Sequence, residues 1–244
     1  MKSNLITLLI FLSFVPVLSR PRHKSVLSDS GDFCLWYDNL YSRDSVLLSF
    51  LHDSRSQKPC VPSIPTSYEN LAQIEPKTRV SESVFRRILS YDAVIHSSSE
   101  SKKQTKTASI IKEKACYYCG RVKISKRFDS YLFHLQHLNS DPKEKNGEDE
   151  DDDEMLIDDK MILVNLFDDK ITSISCMLSY FCCDDYLSYS QIDSYRRHND
   201  YLFCSGSEHG DVVYPNDSNT DYRKVKIRFK FNDIGQIVIL PLKH

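Results

Sequence analysis

Near the C terminus apolar and charged residues alternate one for one: Val225, Ile227, Phe229 and Phe231 against Lys224, Lys226, Arg228 and Lys230. A period of two belongs to a strand with one buried face and one wet face. Asn232-Asp233-Ile234-Gly235 supplies turn residues, and Gln236 to Leu240 can return as the antiparallel partner before Pro241 stops it. Parity places Arg223 on the face of Val225, where an inward guanidinium needs an anion or acceptor. Met161 to Phe167 and Ile171 to Phe181 read as further strands. Ser83 to Ile95 reads as a helix, with Val84 and Ile88 on one stripe. Lys126 to Asn139 sets Phe128, Tyr131, Leu132, Leu135 and Leu138 at the spacing of one helical face, which predicts a helix packed on a sheet.

Between these segments the pattern weakens. Ser45 to Leu51 is a short apolar run, and Pro59 to Pro65, with three prolines, can be neither helix nor central strand. Residues 20–95 are therefore expected to be a loop-rich region of no nameable fold. Residues 96–109 offer almost nothing to bury and read as a solvated linker. Residues 110–244 then form one domain, interrupted at 139–160 by an acidic loop. Within it Glu148 to Glu154 is an unbroken run of acids, which repel one another and lack the alternating ligands and central Gly of a calcium loop.

The chain has 244 residues, and 32 Lys plus Arg against 34 Asp plus Glu leave a net charge of -2, so partner arguments rest on local patches. Residues 1–19 change the picture more: one Lys, then the apolar run Leu5 to Leu18 closed by Ser19, is the pattern of a secretory signal. No other apolar stretch reaches the length of a membrane span, so a secreted protein without a stable membrane anchor is expected. In that compartment Cys34, Cys60, Cys116, Cys119, Cys176, Cys182, Cys183 and Cys204 are disulfide candidates, and their 105 possible connectivities leave the pairing open. Asn216-Asp217-Ser218 is a glycosylation sequon.

Two constellations could carry chemistry. Cys116 and Cys119, followed by His134 and His137 on the predicted helix, have the ligand types and order of a zinc finger. Their spacing departs from it, with fourteen residues between Cys119 and His134 and two between the histidines, and export favours oxidised thiols; no metal or cofactor is expected. The stripe Lys224, Lys226, Arg228 and Lys230, with Arg223 and Tyr214 nearby, could hold the phosphates of RNA, or its lysines could simply solvate an open sheet face. No nucleophile-elbow pattern is present.

Gly210-Asp-Val-Val-Tyr214, then Asp221-Tyr-Arg223-Lys-Val225 and the hairpin to Leu240, resemble the end of the fungal guanyl-specific ribonucleases, with Tyr201 to Phe203 where that family has another strand. The resemblance implies an α+β fold, one helix packed on a twisted antiparallel β-sheet. Of the family's functional positions only Arg223 matches; the catalytic Glu falls on Leu202 and the late His near Pro241. Leu cannot accept a proton, so acid–base cleavage of RNA should be lost. With its leader and Tyr117-Tyr118-Cys119, matching a Tyr-x-Cys motif, the chain resembles the ribonuclease-like secreted effectors of powdery mildew and related fungi. That likeness implies a non-enzymatic protein that binds a host protein or RNA to suppress defence. An exported hydrolase with active ribonuclease chemistry and a disulfide- or zinc-stabilised interaction module are the alternatives.

Overall fold

The computed structural model describes residues 34–37, 42–56, 60–91, 100–138, 157–183, 186–195, 200–209 and 219–242. The fold is α+β. Its helices are α1 (Ser45–Ser54), α2 (Tyr68–Ala72), α3 (Glu82–Leu89) and α4 (Glu100–Glu113). The strands are β1 (Cys34–Tyr37), β2 (Cys60–Val61), β3 (Thr78–Arg79), β4 (Lys114–Val122), β5 (Asp129–His137) and β6 (Ile157–Phe167). They continue with β7 (Lys170–Cys183), β8 (Tyr186–Tyr195), β9 (Asp200–His209), β10 (Asn219–Phe231) and β11 (Ile237–Leu240). One sheet runs in the order β11-β10-β9-β8-β7-β6-β5-β4-β2, with β1 beside β7 and β3 beside β4. The described pairings are antiparallel except β2 with β4.

The seam of the sheet is β7. Its end, Tyr180 to Cys183, pairs with β8, whereas Ile174 and Cys176 lie beside β1. From that seam β8 to β11 curl back over one face of β4 to β7. Phe203, Phe229, Phe231 and Ile237 thereby bury against Leu132, Met161, Leu163 and Met177. The opposite face is covered by helices: Leu47 and Leu51 of α1 and Phe85 and Ile88 of α3 pack on Tyr118, Phe133, Ile162 and Ile174. Burying such a side chain fully contributes about 1.5–3 kcal/mol, so each face holds the central strands strongly. Asp44 joins the two helices: its carboxylate accepts from the Leu47 N–H at 3.0 Å as the cap of α1 and receives Arg87 of α3 at 3.0 Å.

Four expectations are corrected here. The described residues of the expected helix Lys126 to Asn139 hold none; Asp129–His137 is the strand β5, flanked by β4 and β6. Tyr131, Phe133 and Leu135 face the helices while Leu132 faces the curled strands. A strand apolar on both faces shows no alternation, and its continuous run fits a helical stripe equally well. The linker is the second: residues 100–113 form α4, exposed along most of its length but seating Ile110 and Ile111 on the first core before leading straight into β4. Third, α1 and α3 lie in that same core, so residues 96–109 do not separate an N-terminal region from the sheet. The acidic loop also ends early, since β6 begins at Ile157. The C-terminal hairpin and the strands at 161–167 and 171–181 are as read, and the helix at 83–95 is α3, ending at Leu89. The leader, the acidic run, Tyr214 and Asn216 lie outside the described residues.

Candidate functional site

Strand geometry takes the proposed zinc ligands apart. Cys116 belongs to the core beneath the helices and Cys119 to the core beneath the curled strands, on opposite faces of β4. His134 and His137, three positions apart on β5, likewise point to opposite faces. Burial pushes the Cys119 thiol up to about 12 and moves Cys116 in the same direction, away from the thiolate a metal needs. No metal-binding group of three or more His, Cys, Asp or Glu occurs among the described residues. Cys116, Cys119, Cys176, Cys182 and Cys204 have described side chains, and no disulfide joins any of them to another. For Cys34, Cys60 and Cys183 only the backbone is described.

His134 instead sits in a buried relay that the sequence did not announce. Its Nε2 lies 3.0 Å from Asp159 Oδ2 and its Nδ1 lies 3.2 Å from Lys77 Nζ. Lys77 also donates to the Ala72 carbonyl at 3.0 Å, and Asp159 Oδ1 accepts from the His137 N–H at 2.8 Å. Parity explains the meeting. His134 is register partner of Met161, and Asp159 lies two positions before Met161, so both face the second core. The segment carrying α2 closes over them: Leu71 enters that core, and Tyr68 stacks on Tyr180 with ring centres 4.3 Å apart. The Tyr68 phenol is pushed up to about 12, by burial first and then by the negative charge of nearby Asp159. His134 and Asp159 are 1% and 2% exposed, and both ring nitrogens are engaged, which leaves neither for a substrate proton. Chemically this is a lock holding the α2 segment to the sheet. In the sequence His134 alone stood out; Lys77 and Asp159 sit in unrelated contexts.

The basic stripe is redistributed. Lys226 and Lys230 are exposed on the outer face of β10, but Arg228 between them donates to Asp200 at 2.9 Å and to the Pro241 carbonyl at 3.4 Å. Arg223 and Lys224 lie in β10 with undescribed side chains. The aromatics on the alternate positions, Phe229 and Phe231, are buried, and Phe229 stacks on Tyr201 at 5.3 Å rather than facing solvent. Beside this strand β11 ends the sheet, with β10 its one sheet neighbour among the described residues. Val238, Ile239 and Leu242 are among the exposed large hydrophobics there. The arrangement is an edge strand flanked by two lysines.

In comparisons with known proteins, no family model, no curated protein and no solved structure matches this chain.

Proposed function

We propose that the chain is an exported, non-catalytic binding protein of the ribonuclease-like effector kind, and that it suppresses host defence by holding a host protein through its sheet edge. The observation that carries this reading is the pairing of the exposed edge at β11 with Lys226 and Lys230 on β10. An edge strand adds an extended peptide by main-chain hydrogen bonds, and flanking lysines select an acidic one. RNA is the weaker fit. Single-stranded RNA is held by cations together with exposed aromatic platforms, and here Phe229 and Phe231 are buried while Arg228 is paired. The resemblance over Gly210 to Leu240 supports the effector assignment through β10, its hairpin partner and the neighbouring Tyr201 to Phe203, which lies in β9. The occupied nitrogens of His134 remove that one residue as a general acid or base.

The test titrates signal-free protein with an acidic strand-forming peptide and, separately, with a mixed single-stranded RNA pool. The expected result is saturable peptide binding, weakened at least tenfold by Ile239→Lys or by Lys226→Glu with Lys230→Glu, and no RNA turnover. Cleavage of RNA with turnover would overturn the non-catalytic reading. Peptide binding indifferent to both variants would remove the edge.

A further inference from the structure

The turn from β4 to β5 concentrates positive charge: Arg121, Lys123, Lys126 and Arg127 fall within seven positions, and the first carboxylate after them is Asp129. Beside this turn opens a cleft of about 210 Å³, walled by Val122 and Phe128 and rimmed by Arg121, Lys123 and Ser125. We propose that the cleft binds a small phosphomonoester, with its dianionic head between Arg121 and Lys123 and its organic group against Phe128 and Val122.

The committed and uncommitted groups decide the assignment. Asp129 lies on the wall, which opposes an anion, but Arg55 holds it at 3.2 Å while Arg121 lies 3.9 Å away. Arg55 Nη2 also reaches Asp169 at 3.4 Å and so balances Asp129 in part, while Arg121 meets Asp129 through one Nη at the long distance of 3.9 Å, which leaves the rest of its fork for another acceptor. Arg127 is taken by Asp233, so it contributes nothing direct. Lys123 is exposed and has no ion-pair partner among the described residues. The Ser125 hydroxyl accepts from the Arg127 N–H at 3.1 Å, which leaves its own proton to donate. Ser130, also on the wall, spends its proton on Asn165 Oδ1 at 2.7 Å and is no donor to the ligand.

Two cations and a hydroxyl suit a terminal phosphate, which carries close to two charges near neutral pH, better than a singly charged diester. Size agrees. The volume is below the ~300–1,000 Å³ of drug-sized pockets, and a polymer would need a groove that tracks its backbone. The floor is held from below, because Gly235 packs against the Phe128 ring and its carbonyl accepts from Asn165 and Ser173 at 2.6 and 2.8 Å.

Isothermal titration of the signal-free protein with phenyl phosphate tests this, with inorganic phosphate, phenol and a dinucleotide as parallel probes. Saturable binding of phenyl phosphate is expected, tighter than inorganic phosphate and absent for phenol. Arg121→Ala should weaken it about tenfold or more, and Arg121→Lys, which keeps charge but loses the fork, by less. Lys123→Ala, at an exposed position, should weaken it severalfold. Lys226→Ala with Lys230→Ala should leave it unchanged, and circular dichroism checks that each variant is folded. Several results would overturn the site: no saturable binding, equal loss in the β10 variant, indifference to Lys123→Ala, or a dinucleotide binding as tightly as the monoester.

Discussion

Gly235 shows how one residue closes the second core. It adopts φ +83°, a left-handed conformation that side chains resist, in the turn joining β10 to β11. A Cβ there would stand 2.9 Å from a Phe128 ring carbon and 3.0 Å from the Asn165 Cβ. Phe128 is buried and Asn165 is fixed by Ser130 and Ser173, so neither can move aside cheaply. Gly235→Ala is therefore expected to destabilise the protein by about 2–4 kcal/mol, backbone strain and overpacking together. Urea unfolding reads this directly. A change below about 0.5 kcal/mol would mean that the hairpin is not clamped to β6. The turn itself was legible, because Asn232 to Gly235 has turn chemistry in any context. The clamp was not, since Asn165 looks like an interruption in an apolar strand until the fold brings Gly235 to it.

Elements meet through charges as well as apolar stripes. Lys114 opens β4, is 7% exposed, and forms an ion pair with Asp158 of β6, with Lys160 nearby. Burial pushes the Asp158 carboxyl up, but Lys160 and Lys114 outweigh it and leave the carboxyl below its ordinary range. A carboxyl lowered in the fold lends stability above about pH 4, its unfolded range, and that stability is lost as pH falls through the folded value. The Lys114 ammonium is lowered, by burial first, so its own contribution to the pH dependence falls in alkali, where stability rises with pH. Asp158→Asn is expected to cost on the order of 2 kcal/mol near neutral pH and to flatten the acid limb below pH 4, as read by thermal unfolding against pH. An unchanged acid limb would show that Asp158 has no part in it. Legibility at this scale follows burial. β10 shows a strict alternation at 225–231 with Phe229 and Phe231 buried on one face, and it was readable. β5 is buried on both faces and imitated a helix, while α4 is exposed along most of its length, seats Ile110 and Ile111 on the core, and imitated a linker.

For the whole molecule the question is how β1 is held to a sheet that the chain completes much later. β1 contributes four residues beside the long strand β7, and its register sets Cys34 opposite Cys176. Opposed residues of an antiparallel pair have Cα atoms about 4.5–5.5 Å apart, inside the ~4.4–6.8 Å span a disulfide bridges. The eight cysteines alone left 105 pairings open, and strand register is the information that was missing, because it brings together residues 142 positions apart (176 minus 34). If the leader exports the chain as expected, thiol–disulfide exchange with glutathione disulfide should link Cys34 to Cys176, the S–S bond of one glutathione disulfide breaking and both thiol hydrogens leaving on two molecules of reduced glutathione. Closing a loop of that length removes unfolded-state entropy equivalent to about 4–5 kcal/mol. Peptide mapping of protein refolded in a glutathione redox buffer should recover the Cys34–Cys176 cross-linked pair, and Cys34→Ser should lower the melting temperature under oxidising conditions but not under reducing ones. Recovery of both cysteines in alkylatable form, or of Cys34 joined elsewhere, would leave β1 held by its main-chain ladder alone and make the N-terminal strand the first element to detach.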